Sequence, residues 1–131
     1  MLSKTSLQVI KALAELARLP DDKWEGAASI AKKIRAPQNY LGKVLQGLCN
    51  EGLVESQKGF GGGFRLARPP QKISLYDIME PIEGVSRWDG CFMGKKQCSD
   101  NAPCAVHSRW SSVRESYLAF LKATTLEDLA K

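Results

Sequence analysis

Three cysteines and the only histidine of the chain form the set of side chains best suited to chemistry. Cys91, Cys98 and Cys104 lie within fourteen residues, and His107 follows the last of them with two residues between. The two gaps between the cysteines are six and five residues. Thiolates and imidazoles bind soft and borderline metals well, and four such ligands can complete one site. The set therefore predicts a metal site formed by these four residues.

The spacing of these residues leaves the kind of site open. Structural zinc sites usually contain two cysteines separated by two to four residues, whereas longer loops are common around iron–sulfur clusters. Lys95-Lys96 beside Cys98, and a helix expected to begin near Pro103-Cys104, both favour the thiolate form. Three alternatives are therefore left open, in this order of preference: an iron–sulfur cluster, a zinc ion and a thiol switch. Cys49 lies apart from the group and is predicted to be a buried core thiol.

Length and composition limit the class of protein. The 131 residues are 44% hydrophobic and 25% charged, which predicts one compact domain with an extension and excludes a collagen-like or disordered chain. No segment approaches the roughly 20 apolar residues that cross a bilayer, and the N-terminus lacks a signal-peptide pattern, so a cytoplasmic protein without membrane contact is expected. One histidine, with no Cys-x-x-Cys motif and no carboxylate pair at a set spacing, does not predict an enzyme.

The charge is unevenly distributed along the chain. The net charge is +5, and residues 1–72 hold twelve Lys or Arg against six Asp or Glu, whereas residues 73–131 hold seven against eight. Three of the four cysteines lie in the second part. The chain is therefore predicted to have two parts, which we place at residues 1–84 and 85–131, and the localised basic excess of the first part allows a polyanionic partner.

Apolar residues recur with the period of a helix in three stretches of the first part. They predict helices over Thr5–Leu19, over Ala27–Ile34 and from Pro37 to Glu51, the last one followed by Gly52 as a left-handed cap. The link between the second and third helices is only about three residues long. These two helices are therefore a candidate helix-turn-helix.

The third helix carries a polar face opposite its leucines. Amides, a cation and the glycine Gly42 share this face, which suits entry into the major groove of DNA, because Asn and Gln can pair with adenine and Lys with guanine or phosphate. A solvated helix face is the alternative, but Gly42 and Gly47 are poor helix formers for an idle surface, and glycine allows close approach. The predicted contacts on this helix are Gln38, Asn39, Lys43 and Gln46.

Alternating apolar and polar residues on both sides of a glycine-rich stretch predict a β-hairpin after the third helix. Leu53–Gln57 and Phe64–Arg68 are the expected strands, joined through Lys58–Gly63. A hairpin at this place is a wing, and its cations Lys58, Arg65 and Arg68 are expected near phosphates. Phe60 at the tip is expected to pack on a sugar or on its own hairpin.

The second part begins after a short helix that Ser74 and Asp77 are expected to cap and that ends by Gly84. A stretch without period then holds the cysteines. Beyond it, apolar residues step by four, three, four and three, as in a heptad seam. We predict that this last helix pairs with its copy in a twofold dimer, with packing on its own domain as the competing arrangement. The residues of the seam are Val106, Trp110, Val113, Tyr117 and Phe120.

These motifs together resemble the IscR/NsrR type of winged-helix transcription regulators, the Rrf2 family. The resemblance rests on Pro37-Gln-Asn-Tyr-Leu-Gly-Lys-Val-Leu-Gln-Gly-Leu, Asn50-Glu-Gly-Leu-Val-Glu-Ser, Lys58-Gly-Phe-Gly-Gly-Gly-Phe and the three-cysteine loop. It implies a mainly α fold with a small β-wing (α+β) and a long C-terminal dimerisation helix. It also implies a homodimer on palindromic promoter DNA. Many members sense iron–sulfur status, nitric oxide or redox state through a cluster, and some carry none.

Carried over residue by residue, Cys91, Cys98 and Cys104 match the cluster cysteines and His107 matches the histidine ligand of the IscR branch. The first gap between cysteines is one residue longer than in that branch, and Gly42 stands where the branch has a base-reading glutamate. The resemblance therefore implies a cluster of two or four irons but no operator sequence. A winged-helix regulator without a cluster, using its cysteines as a thiol/disulfide switch or zinc site, is the alternative.

Overall fold

The computed structural model describes residues 2–93 and 105–131. The first part of the chain forms α1 (Lys4–Ala17), α2 (Ala27–Ile34), α3 (Gln38–Asn50), β1 (Val54–Gln57) and β2 (Gly63–Leu66). A 3-10 turn (Pro70–Lys72), α4 (Leu75–Glu83) and a second 3-10 turn (Val85–Asp89) follow. The chain then forms α5 (His107–Ala123) and α6 (Leu126–Ala130). Among the described residues, none of the helices has the length and apolar character needed to cross a membrane.

The first three helices lie where the apolar period predicts them, and their ends have local causes. Ser3 caps α1 by accepting a hydrogen bond from the Ser6 backbone N–H, and α1 ends at Ala17, before the predicted Leu19. Arg35 ends α2 in the left-handed conformation. Pro37 is the N-cap of α3 rather than its first residue, and Gly52 follows α3 with a positive φ of 75°. The short link makes α2 and α3 a helix-turn-helix.

The predicted hairpin is present and is attached to the segment before α2. β1 and β2 are antiparallel, with Val54 opposite Leu66 and Gln57 opposite Gly63. On the other side of β2, the Glu25 N–H donates to the Phe64 carbonyl at 3.0 Å and the Phe64 N–H donates to the Glu25 carbonyl at 2.8 Å. The sequence did not indicate this pairing, which holds the wing against the start of α2.

α4 and α6 begin with capping boxes. Ser74 and Asp77 exchange side-chain and backbone hydrogen bonds at the start of α4, as predicted, and Gly84 ends the helix in the left-handed conformation. Thr125 and Asp128 form the same arrangement at the start of α6. The prediction that the helix after the cysteines is the last one was wrong, because this second capping box starts α6 after Thr124.

One apolar core connects both parts of the chain. Leu13 of α1, Leu45 of α3 and Ile78 of α4 are fully buried in the same cluster as Leu121 of α5 and Leu126 of α6. The core is therefore continuous across the predicted boundary after residue 84, and that boundary stays a prediction. The predicted fold class, mainly α with a small β-wing, is confirmed.

Candidate nucleic-acid interface

The third helix presents the polar face that its sequence predicts. Leu41 and Leu45 are 0% exposed and Leu48 is 3% exposed, so the apolar side of α3 lies against the core. The polar residues on the opposite side are exposed to solvent: Gln38, Asn39, Lys43, Gln46 and Asn50. The helix thus offers amides and one cation on a surface that no other described segment covers.

The two glycines of α3 have different surroundings. A Cβ placed on Gly42 would lie 3.7 Å from the Ala27 Cβ, so Gly42 faces α2 and is half-buried. This corrects its placement on the outer stripe, because the packing of α2 against α3 covers that position. Gly47 is exposed, and a Cβ there would have no atom within 4 Å. Gly47, which the predicted stripe did not include, is therefore the glycine of α3 with open space around it.

The start of α3 is tied to the start of α1. The Tyr40 hydroxyl and Thr5 Oγ1 share a hydrogen bond across the two helices. The next residue of α1, Ser6, is fully buried and donates from its hydroxyl to the Glu83 carboxylate at the end of α4. Adjacent residues of α1 therefore contact α3 on one side and the end of α4 on the other.

The wing holds its cations in different ways. Lys58 and Arg68 are exposed. Arg65 is half-buried: its Nε donates to the Glu55 carboxylate at 2.9 Å, and its guanidinium lies 4.2 Å from the centre of the Trp24 ring. Trp24 precedes the segment that pairs with β2, so only the folded chain places it under Arg65. The result is a cation positioned by an ion pair and by an aromatic face.

Glu25 fixes the base of the wing, and no sequence motif predicted it. Its side chain is 7% exposed, and its Oε2 accepts hydrogen bonds from Ser29 Oγ at 2.7 Å and Lys33 Nζ at 2.6 Å. The hydrogen bond to Glu25 and its negative charge raise the pKa of Lys33. Because its backbone also pairs with β2, Glu25 links the wing to two turns of α2.

The structure describes two of the four predicted metal ligands, Cys91 and His107; Cys98 and Cys104 lie outside the described residues. The Met93 backbone N–H donates to Cys91 Sγ at 3.4 Å. A donated N–H stabilises negative charge on sulfur, so this environment fits a thiolate ligand. Among residues 2–93 and 105–131, no three His, Cys, Asp or Glu side chains come together as a metal site.

The chain just before Cys91 is held against α5, which begins at His107. Trp110 Nε1 donates to the Gly90 carbonyl at 3.0 Å. We name Trp88, Phe92, Trp110 and Tyr117 the aromatic cluster. Its ring centres are 5.3 Å apart for Trp88 and Trp110, 4.7 Å for Trp88 and Tyr117, and 5.5 Å for Phe92 and Trp110. The start of the cysteine segment is therefore packed on the first turns of α5.

The predicted dimerisation seam divides into two groups. Trp110 and Tyr117 belong to the aromatic cluster and pack within the chain. Val113 is 57% exposed and Phe120 is 55% exposed. Val106 is half-buried and is the N-cap of α5, so it precedes the helix. Of the five seam residues, two pack within the described part of the chain, two are more than half exposed, and Val106 belongs to neither group.

The helix-turn-helix, the polar face of α3 and the adjoining wing define a winged helix-turn-helix protein that binds DNA. Residues 2–131 match the model of the Rrf2 family, described as "Iron-dependent Transcriptional regulator". The chain belongs to the Rrf2 family of transcriptional regulators.

Relatives and solved structures agree with this assignment. The chain is 37% identical over 129 residues to a protein of Aquifex aeolicus (strain VF5) named as an HTH-type transcriptional regulator, covering 97% of this chain and 89% of that protein. It is 30% identical over 121 residues to the HTH-type transcriptional regulator NsrR of Shouchella clausii, covering 92% and 81%.

Two solved structures match almost the whole fold. CymR, the global cysteine regulator of B. subtilis, superposes with a TM-score of 0.81 at 28% identity over 99% of this chain and 95% of that chain. T. potens IscR superposes with a TM-score of 0.78 at 27% identity, over 98% of this chain and 85% of the IscR chain. The predicted resemblance is confirmed, and the protein is a DNA-binding transcription regulator rather than an enzyme.

Proposed function

We propose that the protein acts in the cytoplasm as a homodimer that binds palindromic promoter DNA and whose affinity for DNA depends on an iron–sulfur cluster. The exposed polar face of α3 beside a basic wing carries the proposal. Two such faces in a twofold dimer would meet half-sites about one turn of DNA apart. Because the dimer and the cluster are separate claims, each has its own test.

The residues of the interface divide by the contact they make. Gln38, Asn39 and Gln46 have amides that can pair with base edges in the major groove. Lys43, Lys58 and Arg65 supply positive charge for phosphates. Glu55 competes with phosphate for Arg65, because its carboxylate already accepts from that guanidinium.

The salt dependence of binding tests the charged contacts. The logarithm of affinity falls linearly with the logarithm of salt concentration, and each cation that neutralises a phosphate makes this slope steeper by about one. We expect Lys43→Ala and Arg65→Ala to weaken binding and to lower this slope, and Glu55→Gln to strengthen binding. Lys122→Ala on α5 is the matched control, because it removes one cation that is outside the proposed DNA interface. Lys122 lies 4.9 Å from the centre of the Tyr76 ring. Unchanged slopes for both Lys43→Ala and Arg65→Ala in filter binding would refute their roles.

Cys91, Cys98, Cys104 and His107 are the proposed ligands of the cluster, and the number of irons is left to measurement. Three thiolates and an imidazole are ligands that iron–sulfur clusters accept, and the N–H on Cys91 Sγ supports a thiolate. A cluster would supply a centre sensitive to oxidants and to small ligands. We expect Cys98→Ala, purified without oxygen, to lose visible absorbance together with its iron and inorganic sulfide. A full spectrum in this variant would exclude Cys98 as a ligand.

Contacts within the chain can carry a change at Cys91 to α3. The Gly90 carbonyl, just before Cys91, accepts a hydrogen bond from Trp110 on α5. Glu83, at the end of α4, accepts a hydrogen bond from the Ser6 hydroxyl. Thr5, beside Ser6, is bonded to Tyr40 on α3. We expect Glu83→Ala, which removes the acceptor of the Ser6 hydroxyl, to keep the cluster but to reduce the difference in DNA affinity between the loaded and stripped protein. An undiminished difference would assign the coupling to α5 alone.

The alternative is a regulator without a cluster, in which the cysteines form a thiol/disulfide switch or hold zinc. The likeness to Staphylococcus aureus CymR in its oxidized form favours this alternative, with a TM-score of 0.78 at 26% identity over 100% of this chain. Only a cluster contains inorganic sulfide. Iron, sulfide and zinc analysis of the freshly purified protein therefore separates the three cases, and reversible loss of thiols with a disulfide-forming oxidant identifies the switch.

A further inference from the structure

The tip of the wing carries a phenyl ring that no part of the described chain covers. Phe60 is 110% exposed, the highest value among the exposed large hydrophobic residues. The ring does not pack on its own hairpin, which was one of the two arrangements expected for it. Its apolar area is left for a partner, because burying such area is favourable.

The backbone of the turn explains why the ring is presented outwards. Gly59 and Gly61, on either side of Phe60, have positive φ angles of 95° and 81°. The Gly62 N–H donates to the Gly59 carbonyl at 3.1 Å, closing the turn. A Cβ on Gly62 would lie 2.2 Å from the Gln57 carbonyl oxygen, so the turn folds tightly onto the end of β1. The tip residue is therefore held beyond the closed turn.

The base of the wing is also fixed relative to α3. The Leu53 N–H, just before β1, donates to the Leu48 carbonyl of α3 at 3.2 Å. The Ala67 N–H, just after β2, donates to the Leu53 carbonyl at 3.0 Å. Together with the Glu25 pairing on β2, these bonds join the hairpin to the helix-turn-helix. When α3 lies in the major groove, the tip is carried to the adjoining stretch of the duplex.

We propose that Phe60 enters the minor groove beside the site read by α3 and partly unstacks one base step, bending the DNA. This inference rests on the proposed DNA binding. Apolar wedges are the side chains that proteins insert between base steps from the minor groove. Lys58 lies two residues before the ring, and residues 58–63 contain no acid, so the charge around the ring suits the narrow space between two phosphate chains.

The chemistry of the wedge also predicts which step it takes. Pyrimidine–purine steps unstack most easily, and guanine places an amino group in the minor groove. A TA step is therefore the expected target, with CA/TG next. The protein would read this step through its deformability, without hydrogen bonds to its bases, and so extend its specificity beyond the bases that α3 contacts.

The experiment uses a duplex selected from a random pool by the wild-type protein. 2-Aminopurine is placed at the TA or CA/TG steps beside the α3 site, and fluorescence and bend angle are measured on binding. We expect wild type and Phe60→Leu to raise the fluorescence and bend the DNA. We expect Phe60→Ala to lose both, to bind about 5- to 150-fold more weakly and to keep its salt slope.

Lys58→Ala is the matched control, because it should lower the salt slope while keeping the fluorescence change. If wild type binds the duplex tightly but Phe60→Ala leaves fluorescence, bend and affinity unchanged, the wedge is overturned while the DNA-binding function stands. If Phe60→Ala binds more weakly but wild type gives no fluorescence change, the ring contacts a deoxyribose and the wedge proposal is overturned. The wedge proposal is also overturned if Phe60→Ala changes the oligomeric state of the protein in the absence of DNA. If wild type selects no site, the proposed function fails first.

Discussion

α3 and α5 use their apolar residues differently. In α3 the leucines are buried and every exposed side chain of the predicted face is polar. In α5, Leu118 and Leu121 are buried, yet Val113 and Phe120 remain more than half exposed. α3 buries the apolar side of an amphipathic helix within its own chain, whereas α5 has more apolar surface than the described part of its chain covers.

The contrast indicates two kinds of partner. A polar helix face next to cations suits a wet, charged partner such as DNA. Exposed apolar residues on a second helix suit another apolar surface, and a copy of α5 is the proposed one. Substitutions that separate burial within the chain from contact with a partner test this comparison most directly.

The largest effect is expected at neighbouring residues of α5. Leu121 is 1% exposed, so Leu121→Ala should lower the free energy of unfolding by about 2–5 kcal/mol through the lost contacts and the cavity. Phe120→Ala should leave the core intact and weaken self-association instead. Denaturant unfolding and sedimentation over a range of protein concentrations measure the two effects. Phe120→Ala with unchanged sedimentation would remove Phe120 from the proposed dimer face.

The next effect concerns the attachment of the wing that flanks α3. A Cβ on Gly63 would lie 2.5 Å from the Glu25 carbonyl carbon and oxygen, and its φ is 139°. Gly63→Ala should therefore cost about 2–3 kcal/mol of stability and should weaken DNA binding.

Gly61→Ala is the control for this position, because Gly61 has a positive φ of 81° but open space around its Cβ. It should cost only about 1 kcal/mol from backbone strain. Equal losses in the two variants would show that the close approach to Glu25 is unimportant.

A smaller effect separates stability from binding on α3. Gly47 is exposed within the helix with open space around it, so Gly47→Ala should raise the free energy of unfolding by about 0.5–1 kcal/mol. Affinity for DNA should not rise with it, because the added methyl group occupies the face that approaches the groove. Gln46→Ala should leave stability within about 0.5 kcal/mol and weaken binding. Parallel gains of stability and affinity in Gly47→Ala would contradict this placement.

The smallest effect is a pH dependence at the junction of the two parts. Burial disfavours the charged Glu80 carboxylate, but hydrogen bonds from the Ser86 hydroxyl, from Tyr76 and from the Ser86 N–H outweigh it and lower the pKa of Glu80 below 4.5. The stability from these bonds is present above the unfolded pKa and is lost as pH falls through the lowered folded pKa. Ser86→Ala should raise the pKa of Glu80 in an NMR titration of its carboxyl carbon; an unmoved pKa would contradict the assignment.

The sequence predicted the elements whose causes are local. The period of the leucines located α3, Ser74 and Asp77 located the start of α4, and the glycines located the turn of the wing. Each signal depends on residues within a few positions of one another, so no knowledge of the fold was needed. The polar face of α3 belongs to the same class, because one helix period determines which side chains share a side.

Contacts between distant segments were decided only by the tertiary structure. The helix period placed Gly42 on the outer face of α3, but α2 packs against that position. Arg65 was predicted as a wing cation near phosphates, and the structure adds that Trp24 and Glu55 contact it, because the chain before α2 pairs with β2. Glu25 carries no motif, and its importance comes from burial beside Lys33.

The sequence by itself determined the winged helix-turn-helix, its basic character and the polar face of α3, because helix period, capping and turn chemistry act over a few residues. Only the tertiary structure decided how the seam of α5 is divided. Its heptad spacing treats Trp110, Val113, Tyr117 and Phe120 alike, but the position of Trp88 draws Trp110 and Tyr117 into the aromatic cluster and leaves the other two exposed. Long-range packing decides which apolar residues of a helix are buried within their own chain, and the spacing along one helix does not contain that information.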